Sequence, residues 1–189
     1  MTVSYPPKEL ALAYTSTAKT LHWLMAILFF GLLALGFYMS DLPLSPEKLQ
    51  YYSWHKWVGV TTFLLVWLRL FWRVTHRPHA LPASQPKLMQ RAANAGHFLL
   101  YGLMIIIPLS GWLMSSAKGI QTVWFGVLPI PDLLSKNKEV GNLLKSIHEN
   151  LNFLFVAVIA GHIGAALKHH FIDKDDILIR MLPKHAKEN

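Results

Sequence analysis

Apolar residues fall in four long blocks separated by shorter polar ones. The first, Thr20 to Ser40, has no charge between Lys19 and Asp41. As a helix it is long enough to cross a hydrocarbon core of roughly 30 Å. The DLPLSPE stretch, with prolines at 43 and 46, ends it. A second span is predicted over residues 50–72. Only Trp57 to Leu68 is free of charge there, so Lys56, Arg69 and Arg73 must snorkel or face inward. The third span covers 92–117, where Pro108 and Gly111 predict a kink. The fourth covers 146–170. Between the last two, segment 118–145 carries WFGVLPIPDLL and is expected to cap the bundle as a short interfacial helix. The pattern predicts an all-α integral membrane protein: one domain over 1–189, built as a four-helix transmembrane bundle.

Composition supports this reading. Apolar residues make up 53% of the chain and charged residues 15%. The absence of cysteine excludes disulfides, thiolate metal sites and covalent haem attachment. The net charge of +8 could indicate nucleic acid, but the basic residues sit between the apolar blocks. Twelve of them fall in the N-terminal, 69–96 and C-terminal segments, against six in the other two connections. The positive-inside rule then places both termini in the cytoplasm. Residues 1–19 do not read as a cleaved signal, since no small-residue cleavage site follows before Asp41.

Ionisable side chains inside a membrane are costly, and here they are histidines. His148 and His162 lie fourteen residues apart on the fourth span. That is roughly 21 Å along a helix, with directions agreeing to about 40°. Sorting by depth gives one outer pair, His55 with His148. The inner layer has three candidates, His22, His97 and His162; His22 with His162 is the pairing preferred. His97 is open between ligand, quinone contact and interfacial residue. Pairs of neutral imidazoles on facing helices are a means of gripping a b-type haem iron. Arg69 shares the His55 face at inner depth, where it either meets haem propionates or reaches lipid headgroups. Gly36 and Gly111 lie fourteen residues after His22 and His97. They either clear room for the outer macrocycle or serve helix crossings. His76, His79 and His185 read as solvated loop residues.

LHWLMA, SWHKWVGV, AGHFLLYGLMIIIPLSGWLMS and the closing SIHENL…GHIGAALKHHFIDKDDILIRMLP carry a resemblance over nearly the whole chain. The sequence resembles the prokaryotic cytochrome b561 family of four-helix, di-haem b membrane cytochromes. The resemblance implies His22 and His162 on a cytoplasmic haem, and His55 and His148 on a periplasmic one. In the superoxide oxidase branch, superoxide gives an electron to the periplasmic haem, and ubiquinone is reduced near the cytoplasmic one. His97, His169 and Lys168 match positions associated with the quinone, and Lys118 a basic residue near the outer entrance. The KHHFIDKDD tail is similar to a subgroup working beside small periplasmic polyisoprenoid-binding lipocalin-like proteins. The implied location is the bacterial inner (plasma) membrane.

Two bis-histidine haems would leave no open iron position, which favours electron transfer over oxygen chemistry. Lys118, Lys136, Lys138 and Lys145 face only Asp132 and Glu139 in their connection, a positive mouth suited to an anion such as superoxide. His97 and His169 are candidates to hydrogen-bond quinone or relay its protons. Three other classes compete: a cytochrome b subunit of a larger dehydrogenase, a non-catalytic quinone- or haem-binding protein, and a proton or metal transporter. The last would usually need carboxylates, and the spans hold only Glu149, at an edge.

Overall fold

The computed structural model describes residues 14–76 and 86–182. His79 and His185 lie outside the described residues. Helix α1 spans Ser16–Asp41, α2 Pro46–Thr75, α3 Lys87–Ala117 and α4 Lys138–Lys168. All four are long and apolar enough to cross a membrane. Their starts follow local chemistry. Thr15 caps α1 by accepting from Ala18 N at 3.2 Å. Ser45 caps α2, which opens on Pro46 and Glu47. Asn137 caps α4 by accepting from both Glu139 N and Val140 N. Helix α3 carries Pro108 in its interior.

α1 packs mainly along α2, and α3 along α4. The two hairpins meet at a narrow core of Met25, Phe29, Val66, Leu103, Ile107 and Phe155. Outward-facing side chains such as Ile27, Phe71, Val74 and Phe98 are largely exposed. In water such a surface would drive association; in a bilayer it is the expected exterior.

The 118–145 connection differs from expectation. Among the described residues it holds no interfacial helix. Strands β1 (Val123–Trp124) and β2 (Leu128–Pro129) form a small antiparallel hairpin instead. Phe125 and Gly126 turn it with φ of 49° and 72°. Pro129 and Pro131 prevent a helix from propagating through the segment. Residues 138–145 belong to α4, because the Asn137 cap starts that helix early.

Beyond Lys168, α4 loosens into a π turn over His169–Asp173. Lys174 then takes a left-handed conformation, and a short helix α5 follows over Ile177–Met181. This C-terminal segment is tied to the first span. Lys19 Nζ donates to Leu182 O and Trp23 Nε1 to Met181 O, each at 2.9 Å.

Candidate cofactor site

The fold sets five half-buried histidines at two depths. At one end His55 of α2 faces His148 of α4, with ring centres 6.4 Å apart and planes at 81°. At the other end His22 and His162 are 6.2 Å apart at 67°. His97 of α3 is also there, 5.5 Å from His162. Midway between the layers Phe29 and Phe155 meet edge to face at 5.2 Å. Phe155 lies seven residues from both His148 and His162.

Several features fit a group held between imidazoles. Two imidazoles bound on opposite sides of one metal at about 2 Å each have ring centres about 6.3 Å apart. The spacings of 6.2 and 6.4 Å match this; His97 to His162, at 5.5 Å, is too short. His148 Nδ1 donates to Ile107 O at 3.1 Å and lies 2.9 Å from Ser110 Oγ. That fixes the tautomer and leaves Nε2 with its lone pair for a metal. His55 Nδ1 is buried with no hydrogen-bond partner among the described residues. Each imidazole of this pair faces a glycine. A Cβ at Gly36 would stand 3.3 Å from His55 Cε1, and one at Gly111 3.1 Å from His148 Cε1. A side chain at either position would press on a ring.

The three-histidine end carries positive charge. Arg69 lies within electrostatic reach of His22, His97 and His162. Its Nε donates to Tyr101 Oη at 3.0 Å. Arg73, one turn further along α2, stands 5.7 Å from the Tyr101 ring centre, and Arg69 5.9 Å. Among the described residues neither arginine pairs with a carboxylate. Both line a cavity of about 30 Å³ with Trp72, His76, Tyr101 and Met181. That space suits one carboxylate-sized group, since a single water needs roughly 10–15 Å³. Arg73 and Tyr101 did not stand out in the sequence. Their signal was spacing: Arg73 is four residues after Arg69, and Tyr101 four after His97.

The remaining candidates sit apart from the imidazole pairs. Lys168 Nζ pairs with Asp173 Oδ2 at 2.6 Å. His169 Nδ1 lies 2.7 Å from Asp175 Oδ2 and 3.2 Å from Asp173 Oδ2. These contacts clasp the π turn. Lys118 caps the end of α3, and its stem crosses Gly141, where a Cβ would come within 2.9 Å of Lys118 Cγ. Burial, then Lys145 nearby, lower the Lys118 ammonium below the ordinary lysine range, while Glu149 opposes them.

Four helices long enough to span, with imidazoles opposed at two depths, fit a membrane cytochrome of the b type. The sequence pattern of the prokaryotic cytochrome b561 family matches residues 13–184, and the chain belongs to that family. It is 34% identical over 182 residues to cytochrome b561 homolog 2 of Escherichia coli K12, covering 93% of this chain and 94% of that one. Cytochrome b561 homolog 1 of the same organism is 28% identical over 175 residues, covering 90% and 97%. The probable superoxide oxidase CybB of Yersinia pestis is 29% identical over 140 residues, covering 71% and 78%. Membership makes this a multi-pass bacterial membrane protein of electron transfer that binds haem b.

Proposed function

We propose that the chain is a di-haem b electron carrier that oxidises superoxide at its His55–His148 end and reduces ubiquinone at its His22–His162 end. The first end faces the periplasm and the second the cytoplasm, where both termini lie. The observation that carries this reading is the pair of imidazole couples, each at metal-bridging distance, one at each end of the bundle. A haem held by two imidazoles supplies a one-electron iron couple without an open coordination position. His55 and His148 hold one such group, and Ser110 with Ile107 O orients His148. His22 and His162 hold the other, with Arg69 and Arg73 neutralising its carboxylates. Phe29, Phe155 and their apolar neighbours keep water from the space between.

Lys118, with Lys136, Lys138 and Lys145, draws a small anion to the periplasmic end. Two superoxide anions each lose one electron to give dioxygen; ubiquinone gains two electrons and two protons. His97, His169 and Lys168 serve the quinone end, with His97 as hydrogen-bond partner rather than iron ligand. Similarity to a probable superoxide oxidase supports the choice of donor. A second reading keeps the wire and replaces superoxide with a periplasmic protein, a polyisoprenoid-binding lipocalin-like partner. Its support is that the two relatives with broader coverage are cytochrome b561 homologues by name.

The test is a superoxide pulse delivered to the oxidised, haem-loaded protein in detergent with ubiquinone, following haem absorbance and quinol together. Fast haem reduction, then quinol, weakening as salt rises, is expected. Haems that stay oxidised through the pulse would sink superoxide as donor.

A further inference from the structure

The connection between α3 and α4 is anchored partway down α2 rather than at its end. Trp57 Nε1 donates to Val123 O at 2.6 Å. Trp124 Nε1 donates to Trp57 O and Thr61 Oγ1, each at 3.2 Å. Thr61 lies six residues beyond His55 along α2. At 1.5 Å per residue that is roughly 9 Å deeper into the bundle. The hairpin is therefore held against Trp57 and Thr61, at the start of the charge-free part of this span, while Lys56 Nζ donates to Ile120 O just before it. Ala117, where α3 ends, lies in the opposite direction, six residues beyond the Gly111 that faces His148.

Its chemistry suits that depth. No charged residue occurs between Lys118 and Asp132. Val127 is 83% exposed, Phe125 56% and Leu128 52%. Backbone groups in hydrocarbon must find partners within the protein. Here Gly126 N donates to Val123 O, Val127 N to Trp124 O and Ile130 N to Thr122 O. Phe125 takes a left-handed backbone, uncommon for a bulky residue, and lays its ring 5.5 Å from that of Trp57. The outward side chains continue the lipid-facing surface of α2, on which Leu64 is also exposed.

We infer that the Val123–Pro129 hairpin is seated in the leaflet at the His55–His148 end, with Phe125, Val127 and Leu128 against lipid acyl chains. It is a wedge in the bilayer and not a water-exposed loop.

The chain has no cysteine, so a single one reports cleanly. Val127→Cys, Leu128→Cys and, as aqueous control, Lys138→Cys are labelled with nitrobenzoxadiazole. Each haem-loaded protein is reconstituted into phosphatidylcholine liposomes containing acyl-chain spin-labelled lipid. Quenching at 127 and 128 at least twofold stronger than at 138 is expected. Equal quenching at all three would overturn the inference. The unsubstituted protein gives an independent answer. Reconstituted with phosphatidylcholine bearing an acyl-chain diazirine and illuminated, it should yield a lipid adduct on the tryptic peptide 119–136, between Lys118 and Lys136. An unmodified peptide, with adducts on the spans, would overturn the inference equally.

Discussion

The two ends of the bundle solve the same problem differently. At the His55–His148 end there are two imidazoles, a glycine against each ring, and Ser110 with Ile107 O holding His148. Nothing is spare. At the His22–His162 end a third imidazole and two arginines crowd the site, and Met181 of the C-terminal segment lines a small cavity beside the arginines. On the proposed function, the first end would hold one group in one geometry, and the second would have side chains left over to handle protons and a diffusing partner.

The largest effect that would break this contrast is loss of a ligand. On the proposed pairing, His148→Ala and His162→Ala should each cost about half of the haem absorbance per protein, since each would disable one of two haem sites. An alanine variant retaining both haems would contradict the pairing. Gly111→Val comes next. Its Cβ alone would stand 3.1 Å from His148, so the haem at that end should be lost while the other persists, read by redox titration. Two haems of unchanged potential would remove the glycines from the argument.

His97→Ala sharpens the contrast. Both haems should remain and quinol formation should fall by about tenfold or more, the scale of losing a positioned proton-handling group. Loss of a haem instead would make His97 a ligand. Arg69→Gln should lower the potential of the arginine-side haem alone. Removing a nearby cation disfavours the electron-rich state, by on the order of 50 mV for charges several ångströms apart. An equal shift in both haems would place Arg69 between the layers rather than at one end.

The smallest effect expected is that of Lys118→Gln: a few-fold slower reaction with superoxide at low salt, vanishing at high salt. The lowered Lys118 pKa adds a pH signature. The cationic form is lost as pH rises through that value. The superoxide rate should therefore decline at a lower pH than an ordinary lysine would impose, and the decline should disappear in the variant. A pH profile identical in the two proteins would exclude Lys118.

The first and third spans were legible as charge-free blocks of more than twenty residues, whereas the second, charge-free only over Trp57 to Leu68, needed flanking cations to snorkel or face inward; the two depths were legible because helical rise is fixed. Depth alone left three inner histidines open; the preferred couple, His22 with His162, is the one at 6.2 Å, against 5.5 Å for His97 with His162. The hairpin was missed for a local reason. Its turn is Phe125-Gly126, without the Asn-Gly or Asp-Gly that marks such turns, and it is fastened by the Trp57 indole of α2 and its own Trp124 indole. Arg73 was read only as snorkelling or facing inward, and Tyr101 was missed, because their meeting arises only when α2 and α3 lie side by side.

The clasp between the first span and the last helix also orders events in time. Lys19 is made 163 residues before Leu182, and Trp23 158 residues before Met181, the partners that they hold. A chain synthesised from its N-terminus inserts α1 long before that partner leaves the ribosome. His148 emerges before His162, and the clasp follows both. The glycine-lined end can therefore assemble before the clasp that ties the first span to the last helix.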